Sequence, residues 1–227
     1  MIGCRAENTL SVGRICRGMD VGGRSVDAVF TRPPGDAEPL SGATLRLAEE
    51  LVAATCGVPV RRVRVAGLTP SGRPTARVEG RDLVPTVSVS HVRGLIGAVA
   101  CGHGSVGLDI VDPAAAGRGL DVFFSTAELA LVSDEPGLLR AMLWSAKEAA
   151  FKAARLDAEF RPRHVSVDGM SPGGFTWTVR DHHAFRNGTG AFATIDRYIV
   201  AIATSAVHPA GIRVLAPSKR SSKEHPA

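Results

Sequence analysis

The chain is predicted to be an α+β protein made of two similar α+β halves, and three observations support this. Strand and helix signals run strand, helix, strands, and then strand, helices, strands again. The change from one set to the next falls near Gly104, giving halves at 1–104 and 105–214 and a polar, lysine-bearing tail at 215–227 that is expected to be disordered. With 227 residues, 44 % of them hydrophobic, the chain is long and apolar enough to bury a core. No sequence repeat is strong enough to prove a duplication.

Residues 1–24 are rich in Gly and Arg and weakly patterned, so peripheral, loose structure is expected there. Ser25–Phe30 alternates as a strand, and the Pro-rich stretch 31–39 is a loop. Ser41 is a natural N-cap for a helix to about Cys56 that Gly57 closes, with Thr44, Leu47 and Leu51 on its inner face and Arg46 on the shoulder. Val63–Val65 is a short strand, and Thr69–Pro74 has turn chemistry. Val87–His91 alternates, with Ser88 and Ser90 on one face and His91 at the end. Leu95–Cys101 is apolar enough to be buried on both faces; Gly102-His103-Gly104 then predicts a tight hairpin turn into a strand at Ser105–Val111. Asp112-Pro113 ends that strand. Ser125 and Glu128 form a capping box for a helix to about Ser133, and a long helix spans roughly 138–156. His164–Asp168, Phe175–Arg180 and Tyr198–Ala203 are the closing strands.

A net charge of +5 and a pI near 9.4 imply attraction to anions. Only 5 % of residues are aromatic, which argues against a base-stacking surface and so against a nucleic-acid partner. The four cysteines form no CxxC pair and are expected to be reduced; no apolar run is long enough to span a membrane, and no signal peptide follows Met1, so a soluble cytoplasmic protein is expected.

The chemistry concentrates in 144–153, Trp-Ser-Ala-Lys-Glu-Ala-Ala-Phe-Lys-Ala, where Glu148 and Lys152 share a helix face at i and i+4. Taken alone, this equally describes a solvated ion pair on an amphipathic helix. Asp109 is a carboxylate within the apolar strand 105–111, on the face opposite Val106, Leu108 and Ile110, and needs a cation, a donor cluster or a strand end to offset burial.

Val106-Gly107-Leu108-Asp109-Ile110 and Trp144-Ser145-Ala-Lys147-Glu148-Ala149-Ala-Phe-Lys152 together resemble the paired signature of the 4'-phosphopantetheinyl transferases. Phe124-Ser125 with Glu128 is similar to the family's stretch before the long helix. Arg46, Gly72-Arg73-Pro74 and Ser90-His91 occur in the order seen in the larger, Sfp-type members. The resemblance covers about residues 40–205. It implies the family's fold, two halves forming a pseudodimer with the site in the cleft, and a monomer. It implies transfer of the 4'-phosphopantetheine arm of coenzyme A to a serine of an acidic apo acyl- or peptidyl-carrier protein. Catalysis would fall to Glu148, Lys152 and Asp109. Magnesium, or manganese in its place, would lie on Asp109 and Glu148, and Arg46, Gly72, Arg73, Pro74, Ser90, His91, Asp109 and Lys152 would bind coenzyme A. Lys147 could be a phosphate neighbour, and Phe123-Phe124 is the expected carrier contact. One departure stands out: many Sfp-type members carry a second acid two residues after the aspartate, where this chain has Val111. Asp112 replaces it as a ligand only if the strand breaks before Pro113. The rival readings are a coenzyme A- or carrier-binding relative without turnover and a basic nucleic-acid-binding module.

Overall fold

Two antiparallel sheets face one another across a shared apolar layer, and each carries one long helix on its outer face. The computed structural model describes residues 10–33, 40–67, 73–132, 136–156, 158–171, 173–181 and 184–205. In chain order the elements are β1 (Ile15–Asp20), β2 (Ser25–Thr31), α1 (Leu40–Cys56), β3 (Val63–Ala66), β4 (Thr75–Val78), β5 (Thr86–Val92), β6 (Leu95–Cys101), β7 (Ser105–Val111), α2 (Thr126–Leu131), α3 (Pro136–Ala154), β8 (Val165–Ser171), β9 (Gly174–Asp181), β10 (Ala184–Ile195) and β11 (Tyr198–Ser205). The first sheet runs β1-β2-β6-β5 and the second β7-β11-β10-β9-β8, while β3 and β4 form a separate ribbon. The chain is α+β, as its patterning predicts.

Period-two patterning accounts for the layers. Val106, Leu108 and Ile110 of β7 join Met19, Val26, Phe30 and Val99 of the first sheet in the layer between sheets. Leu47, Leu51 and Val52 of α1 cover the outer face of the first sheet, and Leu143, Ala146 and Ala150 of α3 cover that of the second. Gly57, at φ +65, ends α1 in the left-handed conformation expected of it. The helix starts at Leu40, so Ser41 lies in its first turn rather than capping it.

Three expectations need correction. Residues 15–20 are a paired strand, not loose structure; a bulge between Cys16 and Met19 breaks the alternation and hides the strand from period-two reading. Strands β4 and β10 carry no clear strand signal. In β10, Gly188 and Gly190 look like breakers, yet the Trp177 and Phe175 rings fill the space above them, which is where their side chains would stand. Finally, Gly102-His103-Gly104 is not a hairpin turn. β6 pairs with β2 and β5, whereas β7 pairs with β11, so this segment crosses from one sheet to the other. The hairpin partner of β6 is β5, joined through Arg93-Gly94, with Gly94 at φ +97.

The two sheets meet at a seam made by side chains. Leu108 and Ile110, on the edge of β7, donate their backbone N–H groups to Ser88 Oγ and Ser90 Oγ of β5, both at about 3 Å. The outer face of β7 receives α3 at Gly107, where a Cβ would stand 2.0 Å from the Ala149 carbonyl oxygen and 2.6 Å from the Ala153 nitrogen. Only glycine permits that approach. A Gly107→Ala substitution forces α3 off the strand and should cost about 1–3 kcal/mol as an overpacked contact. Urea unfolding checks this; an unchanged midpoint would contradict the packing described.

Candidate active site

The approach at Gly107 places the last turns of α3 over β7, and the functional side chains converge there. Asp109 is 5 % exposed. Lys152 Nζ donates to Asp109 Oδ1 and to the Leu108 carbonyl, each at 2.9 Å, and stands 3.6 Å from Glu148 Oε2. Ser90 Oγ donates to Asp109 Oδ1 at 3.1 Å while accepting from Ile110. Two carboxylates and one ammonium thus share a half-enclosed site. Burial, and then the neighbouring Asp109 charge, push the Glu148 carboxyl up from its ordinary value, with Lys152 opposing the shift. Burial lowers the Lys152 ammonium, but the Asp109 and Glu148 carboxylates outweigh it and hold the pKa above the ordinary lysine value.

A cationic side adjoins this acidic one. Arg73, Lys152 and Arg155 line a cavity of about 90 Å³ together with Pro74 and Ser88. Arg73 donates to the Phe151 carbonyl at 3.3 Å and lies 5.0 Å over the Phe151 ring, so Arg73 reaches α3 from the segment before β4. Arg155, in the left-handed conformation at φ 50 just after α3, is a site residue that the motifs do not point to. Its one signal is a basic residue three positions beyond Lys152. His91 is close enough to feel this charge: burial and then Lys152 lower its pKa. Arg46 is exposed on α1 and does not line the cavity. Gly72 lies outside the described residues. Asp112 is occupied elsewhere: it caps the turn at Pro113–Ala115 by accepting from Ala114 N–H and pairs with Arg197 at 3.0 Å.

A motif-bearing strand and helix brought together at Asp109, Glu148 and Lys152 is the geometry on which the sequence resemblance rests. Residues 105–203 match the family model of the 4'-phosphopantetheinyl transferase superfamily. The second half of the chain is thus similar to that superfamily. No curated protein matches the chain. The matched segment holds β7, α3 and all three of those residues, while Arg73, Ser88, Ser90 and His91 come from outside it. Among the described residues no cluster of three or more His, Cys, Asp or Glu could hold a metal. Among the described residues Asp109 and Glu148 are the carboxylates that meet here; they would suit magnesium, which tolerates few protein ligands and completes its octahedron with water and substrate oxygens.

Two expectations for the second half of the chain change. Lys147 is not a phosphate neighbour. It is 1 % exposed, pairs with Glu128 Oε1 at 2.7 Å, and donates to the carbonyls of Pro162 and Val165. Glu128 in turn accepts from Ser125 and Val167 backbone N–H groups, completing the expected capping box. Adjacent helix positions point about 100° apart, so Lys147 plunges into the core while Glu148 faces the strand. Phe124 is also core, 6 % exposed with the Lys147 ammonium 5.9 Å from its ring, so it cannot be a docking contact; the exposed apolar neighbour is Val122. A Lys147→Met variant strands the Glu128 carboxylate and should lose about 3–5 kcal/mol of stability. Adding Glu128→Gln should restore part of it, read as a partial recovery of the thermal midpoint; full additivity of the two losses would argue against the pair.

Proposed function

We propose that this chain transfers the 4'-phosphopantetheine moiety of coenzyme A to a serine hydroxyl of an apo acyl- or peptidyl-carrier protein, releasing adenosine 3',5'-bisphosphate. The observation that carries this reading is the convergence of Asp109, Glu148 and Lys152 on β7 and α3, in the half of the chain that matches the superfamily. In the transfer the serine oxygen forms a bond to the phosphorus bearing the pantetheine arm. The bond from that phosphorus to the oxygen bridging it to the nucleotide breaks, and the serine proton leaves.

The residues divide the work by their charge. Glu148, whose carboxyl is raised by burial and by Asp109, sits at the open side of the pair and is the group to accept the serine proton. Magnesium, or manganese, held by Asp109 and Glu148 would supply charge neutralisation at the pyrophosphate oxygens. Lys152, Arg73 and Arg155 line one cavity and meet the phosphates with fixed cations, which lowers the cost of charge developing on the departing nucleotide. Ser90 holds Asp109 in orientation, and His91 and Pro74, beside Lys152, belong to the nucleotide end. On this reading the chain would divide into two halves of a pseudodimer, 1–104 and 105–214, each backed by one of the two helix-covered sheets, with the cleft along the β5–β7 seam. A monomer acting in the cytoplasm fits this reading. Among the described residues no helix is long and apolar enough to cross a membrane, and Cys16, Cys56 and Cys101 are free thiols.

Incubation with coenzyme A, magnesium and an apo carrier protein should add one phosphopantetheine to the carrier by mass spectrometry. No addition across several carriers would reject the transfer. Glu148→Gln should lower kcat by at least about a hundredfold, the ordinary contribution of a positioned general base, with the fold retained. Arg155→Ala should raise the KM for coenzyme A roughly tenfold, as loss of a charge-assisted hydrogen bond does; an unchanged KM removes Arg155 from the phosphate site.

A further inference from the structure

The β3–β4 ribbon carries a feature that neither the metal site nor the phosphate cavity uses. In its antiparallel register Val63 faces Val78 and Val65 faces Ala76 on the buried side, so that Arg64 and Arg77 stand directly opposite each other on the exposed side. Like charges in that position oppose strand pairing. The nearby carboxylate does not relieve them. Glu79 is engaged by Arg62, at 3.6 Å to the carboxylate and 2.8 Å to the Glu79 carbonyl. Arg61 and Arg81 extend the surface, and five arginines against the two carboxylates Glu79 and Asp82 border one shallow depression of about 1000 Å³. Its breadth exceeds what a small anion needs, and no aromatic side chain lines it for stacking bases.

The position of this face sets its partner. β4 starts two residues after Arg73, which lies against Phe151 at the phosphate cavity. Arg77 is four residues from Arg73, or ~13 Å of extended chain. A folded partner of about 80 residues has a radius of gyration of ~12 Å, so a body that presents a serine at Asp109 and Glu148 is broad enough to overlie the ribbon. We propose that the Arg64–Arg77 face of the β3–β4 ribbon is an electrostatic docking surface for an acidic face of the protein that receives the phosphopantetheine. This rests on the transfer reading above. An acidic partner relieves the arginine–arginine repulsion on arrival, and such charge complementarity acts chiefly on encounter rate and orientation, leaving the chemical step alone.

Steady-state kinetics of the full chain with an apo carrier domain of net negative charge test it, comparing wild type with R77E and R61E/R77E. R77E leaves Arg64 an opposite charge across the ladder, so the ribbon keeps its pairing, and thermal melting verifies the fold; R61Q/R77Q replaces the double variant should it melt early. R61E/R77E should raise the carrier KM by about tenfold, with kcat and the KM for coenzyme A unchanged. Between about 50 and 300 mM salt the wild-type carrier KM should climb and the variant's should stay nearly flat. An unchanged carrier KM overturns the proposal. So does a rise in the coenzyme A KM instead, which would mark a nucleotide subsite, or tighter wild-type binding to short duplex DNA that the charge reversals abolish. A wild type that transfers nothing speaks against the transfer reading alone, because calorimetric titration with the same carrier still reads the docking: binding lost in R61E/R77E supports the surface, and equal or absent binding rejects it.

Discussion

Backbone contact between α3 and β7 at Gly107 is the constraint on which the site depends. With no Cβ in the way, the carbonyl of Ala149 and the nitrogen of Ala153 rest on the strand, and the adjacent side chains Glu148 and Lys152 reach Asp109 across the gap. Asp109 is itself buried under the helix, so it needs partners within the protein. Lys152 and Ser90 provide them. One ammonium balances two carboxylates incompletely, which leaves a residual negative charge beside Arg73 and Arg155. The site therefore has an acidic pole, suited to a hard cation, directly against a cationic pole suited to phosphate. That juxtaposition fits the displacement at a pyrophosphate proposed above, in which the attacking oxygen and the departing nucleotide would sit on opposite sides of one phosphorus.

The rotation of α3 about its axis matters as much as its height above the strand. A turn of a few tens of degrees would carry Glu148 away from Asp109. The opposite side of the helix prevents it: Lys147 is bound by the Glu128 carboxylate and two carbonyls of the segment leading into β8. Burying such a pair adds little net stability over an apolar equivalent. Its directional bonds set the orientation, and the residue beside Lys147 in sequence is the one that has to be aimed. The Ser125–Glu128 capping box extends the same network to α2, so the start of one helix and the rotation of the next rely on a single carboxylate.

Much of this arrangement is legible in the amino-acid sequence. Asp109 can be placed because a strand alternates, Glu148 and Lys152 because a helix repeats, and the two motifs together give three side chains a common purpose. Inference fails where local chemistry competes with distant packing. Gly102-His103-Gly104 has the composition of a tight turn, but the pairing partners of β6 and β7 lie far along the chain, and turn chemistry cannot report them. Strand β10 hides behind glycines whose missing side chains are supplied by the Trp177 and Phe175 rings from β9. An aromatic or a charge within a motif suggests contact with a partner, and on that ground Phe124 and Lys147 both look outward-facing. Lys147 is buried against Glu128 and the Pro162 and Val165 carbonyls, all far along the chain, and its ammonium lies over the Phe124 ring.

The two walls of the cleft carry different kinds of information. The wall that matches the superfamily supplies the carboxylates and Lys152, groups whose geometry the proposed reaction would dictate. The other wall supplies Ser90 through the β5 seam and Arg73 through the segment before β4, so among the described residues it reaches the site by side chains. Chemistry tolerates little variation on the first wall. On the second, a change in the exposed face of β3 and β4 leaves the reacting atoms where they are and alters what can lie across them. On the proposed transfer, selectivity for an acceptor protein has room to reside there, which would give two arginines facing each other across that ribbon more functional meaning than their place outside the carboxylate site suggests.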